Sequence, residues 1–406
     1  MPYEGDNMMG VKRNNRSAAL RVLHENGSMS RKRLSESIKL TPAAITKIVG
    51  EMIAEGLLTE GSLMPGSGVG RREVMVELNH RAHAALGIFI NLRTAVLSAV
   101  WLDGTVIFSE QLSIPEHAPA DETVSSLCDR LMQLSSEHGL TRGEILGVGV
   151  AMRGLTSDDA RLVRNSFGAL DAFDYPICDR VEARTGLKCV MSNNVRALFS
   201  AQMFLSKDHS LGSQFFLRCE VGIGASFSIG EHIWLGSSGQ CAEIGHIPVV
   251  KRGGKPCSCG KTGCLETIAS PSAMLRDARE LLSAEETPVL WRLAQSREDQ
   301  LPTLDDVFEA ARSGEAAIAA LIDRAVEALS AALKSVIYTL DPGKIVLYGH
   351  MFDNPYYLSK LIAEMREGVD SSHSVPIEPS RLNHRLEDKA APLLVVEDFF
   401  DKGGLL

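Results

Sequence analysis

Three cysteines and one histidine have the residue types and the spacing of a tetrahedral metal site. Cys257, Cys259 and Cys264 fall within eight residues, and His246 lies eleven positions before the first of them. Zinc favours four such ligands, and four protein ligands leave no open position for a substrate. Four glycines between residues 253 and 263 allow the tight turns that bring thiolates together. These residues therefore predict a structural zinc site.

The alternatives to a metal site are a disulfide and free buried thiols. One residue separates Cys257 from Cys259, which leaves little room for a disulfide loop, and clustered cysteines in a cytosolic chain more often bind metal. The remaining cysteines are scattered among apolar neighbours, which is typical of reduced core residues. They are Cys128, Cys178, Cys189, Cys219 and Cys241.

Length and composition are those of a globular protein. The chain has 406 residues, which suggests two or three domains, and 45% of them are hydrophobic, which is ample for a core. No apolar run reaches membrane-spanning length, and the charged N-terminus does not lead into a signal-peptide core. We therefore expect a cytoplasmic protein that does not insert into a membrane.

Charge is distributed unevenly along the chain. The net charge of −9 argues against nucleic-acid binding by the protein as a whole. Residues 1–80 hold 11 Lys and Arg against 9 Asp and Glu, whereas the remainder holds 31 against 42. A mildly basic head on an acidic body is compatible with DNA contact that is confined to the head.

The predicted metal ligands belong to a longer motif. It reads Glu243-Ile244-Gly245-His246 and then Cys257-x-Cys259-Gly260-x-x-Gly263-Cys264-Leu265-Glu266. This motif resembles that of the ROK family of sugar kinases and sugar-responsive repressors. The resemblance extends over nearly the whole chain, with a DNA-binding head like that of N-acetylglucosamine-type repressors. It implies an α/β body with the actin-like ATPase fold, in which two subdomains flank a cleft.

The resemblance and the strand-helix pattern together predict three domains. Residues 1–80 would form a winged helix-turn-helix domain that ends in a Gly-Arg-Arg linker. Residues 81–200, with a C-terminal helix near 388–402, would form the first α/β subdomain. Residues 201–387 would form the second α/β subdomain, with the zinc module and a helical bundle.

Helix signals divide the head into three helices and a hairpin. Residues 14–26 have an apolar stripe, Ser30 opens a short second helix, and Thr41-Pro42 pairs a capping hydroxyl with proline at the first helical position. Residues 57–60 and 74–78 are predicted to be the two strands of a wing. Many small helical modules with this pattern bind protein instead, but the resemblance favours DNA.

The polar face of the third helix is expected to enter the major groove. Its N-terminus presents small residues and one lysine, which suits contact with bases and phosphates. Two arginines after the glycine tract of the wing are expected to follow the DNA backbone or to reach into a minor groove, and a plain linker is the alternative. The predicted DNA-binding residues are Thr41, Pro42, Ala43, Ala44, Thr46, Lys47, Arg71 and Arg72.

Alternating strand and helix patterns follow the head, which indicates an α/β body. The predicted strands cover residues 84–90, 94–101, 106–111, 145–151, 187–191, 215–224 and 344–349. The predicted helices of the body include residues 127–136 and 316–340. The resemblance implies that the chain crosses between the two subdomains near residue 200.

Two positions that a ROK kinase needs for phosphoryl transfer have other residues here. The kinases have an Asp-x-Gly-Gly-Thr phosphate loop after the first strand, where this chain has Phe89, Asn91 and Leu92 in place of the acid and both glycines. The kinases also have an Asn-Asp pair whose Asp takes the proton of the sugar hydroxyl, and Asn194 stands in its place. An amide can hydrogen-bond a hydroxyl but does not accept that proton. We therefore expect no enzymatic activity.

The positions that hydrogen-bond the sugar in the family are better preserved. Carboxylates, amides and an imidazole suit the hydroxyls of a polyol, and a metal on one ring nitrogen of His246 would leave the other for a hydroxyl. For Glu243 and Glu266 the alternative is local pairing or helix capping. The predicted sugar-binding residues are Asn193, Asn194, Glu243, His246 and Glu266.

These residues favour a sugar-responsive DNA-binding transcriptional regulator that represses genes of carbohydrate uptake or catabolism. Its expected partners are double-stranded operator DNA, a small sugar or sugar derivative, and further copies of the chain in a homodimer or tetramer. Two alternatives stay open: an active ROK sugar kinase with an added head, and a repressor that responds to a protein effector instead of a sugar.

The arginine pair of the linker provides a test of DNA binding. Replacing Arg71 and Arg72 together by alanine should weaken binding to duplex DNA, because each lost phosphate contact removes about 0.9 from the slope of log K against log salt. The slope is measured by anisotropy titrations over a range of KCl concentrations. An unchanged slope would make the pair part of a plain linker.

Overall fold

A computed structural model describes most of the chain. The described residues are 8–63, 73–115, 118–158, 161–206, 212–367, 373–382 and 386–405. They form two compact units: the first contains those up to Ser206 together with those from Leu386 onward, and the second contains those between 212 and 382. The chain therefore returns to its first unit at its C-terminal end.

Helices and strands are numbered in chain order. The helices are α1 (Met8–Asn26), α2 (Arg31–Ser37), α3 (Pro42–Ala54), α4 (Ala120–Glu137), α5 (Ile177–Thr185), α6 (Asn194–Ser206), α7 (Glu266–Ala269), α8 (Pro271–Glu280), α9 (Pro288–Gln295), α10 (Leu304–Arg312), α11 (Ala316–Leu340), α12 (Pro355–Arg366) and α13 (Glu387–Asp401). None of these helices is long and apolar enough to cross a membrane.

The strands alternate with these helices along the chain. They are β1 (Met29–Ser30), β2 (Leu58–Leu63), β3 (Val74–Leu78), β4 (Ala84–Ile90), β5 (Thr94–Trp101), β6 (Val106–Ser113), β7 (Ala118–Pro119), β8 (Ile145–Met152), β9 (Leu155–Ser157), β10 (Leu162–Asn165), β11 (Leu170–Asp171), β12 (Phe173–Tyr175), β13 (Cys189–Asn193), β14 (Ser213–Cys219), β15 (Ile223–Ile229), β16 (His232–Ile233), β17 (Lys344–Tyr348) and β18 (Ile377–Pro379). Short 3-10 helices cover Arg142–Glu144, Ile244–His246 and His350–Asp353.

The head comprises the described residues up to Leu78 and has three helices with a sheet in the order β1-β3-β2. Helix α3 begins as predicted, because the Thr41 hydroxyl accepts a hydrogen bond from the Ala44 N–H and Pro42 is the first helical residue. The strands β2 and β3 pair antiparallel, as predicted for a wing. The short strand β1 adds to β3, a pairing that no local pattern indicates.

Two helices of the first unit begin earlier than predicted. Helix α1 starts at Met8 instead of residue 14, and α4 starts at Ala120 instead of residue 127. The added turn of α1 places Lys12 in an ion pair with Glu51 of α3. The first turn of α4 contains acidic residues such as Asp121, which suit the positive end of the helix dipole. Apolar periodicity missed the start of α4 because its first two turns are mostly polar.

The main sheet of the first unit has the strand order β13-β8-β4-β5-β6. The neighbours β4, β8 and β13 are parallel, so their carboxyl ends meet at one edge. β4 and β5 have their predicted bounds, β6 and β8 are longer by two and one residues, and β13 is shifted by two. Side chains from one face of this sheet and from α4 and α5 form a continuous apolar core.

The opposite face of this sheet has glycines where α13 crosses it. A Cβ on Gly149 would lie 1.8 Å from the carbonyl oxygen of Ala391, and one on Gly87 would lie 2.2 Å from Cδ of Pro392. Because no side chain stands between them, α13 packs directly on β4 and β8. The bounds of α13 lie within one residue of the C-terminal helix predicted near 388–402.

The second unit has a five-stranded sheet in the order β16-β15-β14-β17-β18. The prediction of one strand over residues 215–224 is wrong: β14 ends at Cys219, the Glu220 N–H donates to the Gly222 carbonyl oxygen, and β15 returns antiparallel. Glu220, Gly222 and Gly224 interrupt the apolar run, so this reversal has a local signal. Helix α11 has its predicted bounds and lies in an apolar core that includes residues of the neighbouring helices.

Gly149→Ala should destabilise the protein, because a methyl group here overlaps the Ala391 carbonyl oxygen. Such overpacking costs about 1–3 kcal/mol or more, and we expect a melting temperature lower by roughly 4–10 °C. Gly143→Ala is the matched control, since Gly143 lies in the same unit and an added Cβ there has no atom within 4 Å. Equal melting temperatures of the two variants, measured by calorimetry, would contradict the direct packing of α13 on the sheet.

Candidate functional site

The four predicted metal ligands come together in the second unit. Ligand atoms of His246, Cys257, Cys259 and Cys264 all lie within 4.8 Å of one another. Nδ1 of His246 is 3.5 Å from Sγ of Cys257, and Sγ of Cys259 is 3.7 Å from Sγ of Cys264. Metal–sulfur bonds of about 2.3 Å in a tetrahedron place sulfur atoms roughly 3.8 Å apart. The cluster therefore fits one metal ion, with Nδ1 as the histidine ligand.

Backbone hydrogen bonds shape the loop that contains the thiols. The N–H of Cys257 donates to the carbonyl oxygen of Lys261, and the N–H of Gly263 donates to that of Lys255. Gly263 has a φ of +71°, and a Cβ there would lie 2.2 Å from the Val250 carbonyl oxygen. Only glycine fits this position, which supports the role that the sequence predicted for the glycines of the loop.

Burial and close spacing oppose ionisation of the Cys264 thiol in the absence of a cation. Burial, together with the neighbouring Cys259 and Cys257, raises the pKa of the Cys264 thiol to about 12. Burial also tends to raise the pKa of Cys259, but hydrogen bonds from the Lys261 backbone and the other two cysteines outweigh it and lower that pKa. A divalent ion would supply the positive charge that three thiolates require.

The second ring nitrogen of His246 lies on the side of Glu243. Nε2 is 4.0 Å from Oε2 of Glu243, and the two side chains are 21% and 47% exposed. A 3-10 turn brings them together, since the His246 N–H donates to the Glu243 carbonyl oxygen. A hydroxyl group has room to bond to both, because each hydrogen bond would need about 2.8 Å.

Glu266 has a partner within the second unit. One of its carboxylate oxygens accepts a hydrogen bond of 2.9 Å from the N–H of Ile223, at the start of β15. A Cβ on Gly222 would lie 2.2 Å from the same oxygen, so the carboxylate covers the turn between β14 and β15. This is the local pairing that the sequence left open as the alternative to a sugar contact.

The two asparagines at the end of β13 use their side chains differently. The Asn193 amide donates to the Gly154 carbonyl oxygen at 2.8 Å, and its oxygen accepts the N–H of Val195, which caps α6. Asn194 is 3% exposed, and none of the described residues hydrogen-bonds its side-chain amide. Because no described residue occupies its amide, Asn194 is the asparagine that can serve a bound ligand.

Arg196 lies two residues after Asn194 and was missed by sequence reasoning. Its guanidinium donates to the Thr156 hydroxyl at 2.7 Å and to the Asp158 carboxylate at 2.8 Å. The Ser192 hydroxyl donates to the same carboxylate, so a closed network joins β9 to the end of β13. These partners lie as many as 40 residues apart in the chain, and no local pattern connects them.

The segment after β4 turns tightly into β5. Phe89 is fully buried in the strand, and the Asn91 N–H donates to the Thr94 carbonyl oxygen at 2.8 Å. The Asn91 side chain donates to the carboxylate of Glu387 in the first turn of α13, and Leu92 is half-buried. The resemblance to ROK kinases implies that their phosphate loop lies at this position. The turn in this chain has neither of the two glycines of that loop.

The predicted DNA-binding residues of α3 lie at its exposed N-terminal end. Their hydroxyls bond locally, since Thr41 caps the helix and Thr46 donates to the Pro42 carbonyl oxygen. Arg71 and Arg72 lie outside the described residues. Ala44 is half-buried, and the exposed members are Thr41, Pro42, Ala43, Thr46 and Lys47.

Three further basic residues of the head were missed by sequence reasoning. Lys32, Arg33 and Lys39 are exposed on α2 and in the turn before α3, and none of them forms an ion pair with a described residue. Four other bases of the head are paired with carboxylates, namely Lys12, Arg16, Arg21 and Arg31. The α2–α3 face therefore keeps positive charge that DNA phosphates can neutralise. Only the folded head shows which bases lack an acidic neighbour.

Comparison with known sequences identifies two families. The profile of the ROK family matches residues 90–393, and a profile described as winged helix-turn-helix DNA-binding matches residues 13–59. The chain is 25% identical over 387 residues to the DNA-binding transcriptional dual regulator NagC of Escherichia coli (strain K12), over 92% of this chain and 90% of that protein.

Two solved structures have the same fold. A ROK family transcriptional regulator, a homolog of the E. coli MLC protein, matches with a TM-score of 0.81 at 22% identity, over 97% of this chain and 98% of that chain. A ROK family glucokinase from Streptomyces griseus, in complex with glucose and AMPPNP, matches with a TM-score of 0.66 at 23% identity, over 77% and 98%. The fold class predicted from the sequence is confirmed.

Cys259→Ser should abolish metal binding, because a serine hydroxyl stays protonated at neutral pH and is a poor ligand. We expect close to one metal ion per wild-type chain in elemental analysis by mass spectrometry. Cys241→Ser is the control, since Cys241 lies in the same unit but outside the cluster. A wild-type chain purified without metal, or a Cys259→Ser chain that retains it, would contradict the assignment.

Proposed function

The chain belongs to the ROK family, as its motifs predicted, and from that premise we propose that it is a sugar-responsive DNA-binding transcriptional regulator. It represses genes of carbohydrate uptake or catabolism. The head binds operator DNA, and the body binds a small sugar or sugar derivative. Similarity to a transcriptional regulator over nine-tenths of both chains supports this assignment.

The main support is the exposed, positively charged face of the helix-turn-helix. The N-terminal end of α3 has small side chains that allow close approach to a groove, and Lys47 lies beside them. Lys32, Arg33 and Lys39 surround this end without acidic partners among the described residues. Phosphate contacts by such residues supply most of the affinity of a DNA-binding module and position it.

Sugar binding is supported by polar groups in each unit. In the first unit Asn194 is buried, and its amide has no partner among the described residues. In the second unit Glu243 and Nε2 of His246 are spaced to share one hydroxyl. We assign Asn193 and Glu266 supporting roles, because hydrogen bonds within their own units already occupy their side chains.

The metal ion that we assign to the cysteine cluster is a structural zinc ion. Three thiols and an imidazole form the donor set that zinc prefers, and all four positions of a tetrahedron are protein atoms. Zinc would supply the charge that keeps the thiols ionised. Nδ1 ligation would leave Nε2 as the protonated nitrogen, oriented as a donor toward a hydroxyl.

We assign no kinase activity to the body. Asn194 stands where the resemblance implies a catalytic base, and losing such a base costs about 10²–10⁴ in rate. Phe89, Asn91 and Leu92 replace the residues of a phosphate loop, and the turn that contains them packs inside the first unit. Side chains that can hydrogen-bond a sugar hydroxyl are retained. The base and the phosphate loop that a kinase would use to activate and phosphorylate that hydroxyl are absent from these positions.

The proposed regulator acts as a homodimer or tetramer in the cytoplasm. Dimeric helix-turn-helix proteins bind pseudo-palindromic sites whose half-sites are separated by helical turns of DNA. Its domains are the head to about residue 80, a first α/β subdomain from 81 to the end of α6 together with the C-terminal helix, and a second that contains the described residues between 212 and 382. A ligand changes operator affinity only if it prefers one arrangement of the protein over another.

Thermal melting against a panel of sugars tests the proposal. The panel contains hexoses, N-acetylhexosamines, pentoses and their phosphates, with ATP as the control nucleotide. A ligand at about a hundredfold its Kd adds roughly 2.7 kcal/mol of stability. We expect a shift with one sugar class, loss of that shift in Asn194→Leu, and no shift with ATP.

The remaining outcomes of this experiment separate the alternatives. A shift with ATP, followed by phosphate transfer to a sugar, would identify a kinase with an added head. No shift with any sugar, together with tight binding to DNA, would favour a protein effector. A shift that persists unchanged in Asn194→Leu would remove Asn194 from the sugar site.

A further inference from the structure

We propose that the DNA-binding head is held in one orientation on the rest of the first unit by a clamp, with Arg16 and His24 as its positioning residues. The clamp consists of contacts between α1 and two segments of the body: the C-terminal residues 399–404 and the end of α6. All of these residues belong to the first unit. The head is thus docked on the body and is not a freely tethered module.

Arg16 connects the head to the C-terminal end of the chain. Its side chain is fully buried, and Nε donates to the Gly403 carbonyl oxygen at 2.7 Å. The two terminal nitrogens donate to the carboxylate of Glu55, just after α3. A buried guanidinium needs all of these partners. The same side chain therefore joins α1, the end of the helix-turn-helix and the C-terminal segment.

Two consecutive glycines shape the C-terminal segment where it meets the head. Gly403 and Gly404 have φ of +70° and +71°, a backbone conformation that disfavours other residues. A Cβ on Gly403 would lie 2.7 Å from the Arg13 carbonyl oxygen, and one on Gly404 would lie 2.7 Å from Cδ1 of Leu57. The segment is in direct contact with both α1 and the residue before the wing.

His24, near the end of α1, forms the second half of the clamp. Its ring stacks on Phe204 of α6 at 4.0 Å between centroids, and Nε2 lies 3.1 Å from the Phe204 carbonyl oxygen. Phe400 of α13 meets the same ring edge-on at 6.0 Å. Arg21, one turn earlier, pairs with Asp401. His24 is 6% exposed, so this contact is inside the protein.

The connection between head and body is also held where the chain passes from one to the other. The N–H of Leu102 donates to the His80 carbonyl oxygen at 3.1 Å. The ring of His83 meets Phe399 edge-on at 5.4 Å. The head is therefore attached at α1 and at the exit of the wing. Two separate attachments resist rotation of the head relative to the rest of the first unit, whereas a single covalent linker would permit it.

The clamp also connects the head to the candidate sugar site, a consequence that rests on the proposed function. Helix α6 begins at Asn194 and contains Phe204 in its last turn, about 15 Å away along the axis. The Ser200 hydroxyl donates to Glu397 at 2.6 Å, which joins the middle of α6 to α13. A ligand that shifts the start of α6 therefore displaces the residues on which His24 rests.

Distance measurements between two spin labels test the clamp without DNA or sugar. Ketone-bearing residues at Glu36 of the head and Ala183 of α5 accept nitroxides while the native cysteines remain unmodified. We expect one narrow distance distribution in the wild type and a broad one in His24→Leu. His138→Leu is the matched control, because His138 packs on Phe108 at 4.9 Å within the body and has no ring contact or hydrogen bond with a described residue of the head.

Truncation after Lys402 provides a second variant if His24→Leu fails to fold, because it removes the carbonyl oxygen that Arg16 requires. A broad distribution in the wild type would overturn the proposal. So would a distribution that stays narrow in both His24→Leu and the truncated chain. Circular dichroism confirms that each variant retains its helices.

DNA titrations with the same full-length variants measure the functional effect of the clamp. On a duplex selected by the wild type from a random pool, we expect His24→Leu to bind at least about fivefold more weakly and His138→Leu to bind normally. On unselected duplex both should bind equally, because the basic face is intact. A wild type that shows the narrow distribution but binds no DNA would leave the clamp standing and remove the proposed function.

Discussion

The packing of α13 on a bare stretch of β-sheet is the constraint on which the first unit depends. Gly87 and Gly149 leave the backbone of β4 and β8 open, and Ala391 and Pro392 occupy that space. Once α13 lies there, its first turn bonds to Asn91, its middle bonds to α6, and the residues after it meet the head. One helix thereby connects the turn between β4 and β5, the candidate sugar site and the DNA-binding head.

The second unit has its own apolar core, and beside it the loop that presents the thiols is shaped by backbone hydrogen bonds and by charge. Three thiols close together need a cation, and the loop that presents them depends on a glycine at 263 and on a ladder of backbone hydrogen bonds. Ligation at Nδ1 would orient the imidazole of His246, whose Nε2 lies beside Glu243. A structural ion can thus orient a hydrogen-bond donor without taking part in chemistry.

A kinase framework can become a sensor through small changes in the groups that move protons. Under the proposed function, an amide at residue 194 would keep a hydrogen bond to a hydroxyl but would supply no base. Binding energy that a kinase applies to a transition state is then available for shifting a conformational equilibrium. Such a shift can change the position of the added head, provided that the head is docked on the body.

The sequence by itself determined the features that depend on nearby residues. Thr41-Pro42 marked the start of α3, apolar runs gave β4, β5 and α11 their bounds, and the cysteine spacing marked the metal cluster. Short-range hydrogen bonds, side-chain periodicity and ligand spacing all depend on residues that lie close together in the sequence.

The tertiary structure decided everything that depends on distant partners. It set the Asn193 amide against the Gly154 carbonyl oxygen, placed Glu266 on the β14–β15 turn and set Arg16 against Gly403. Each of these outcomes depends on which group meets a donor, acceptor or cavity elsewhere in the fold, and that choice is made only when the whole chain packs.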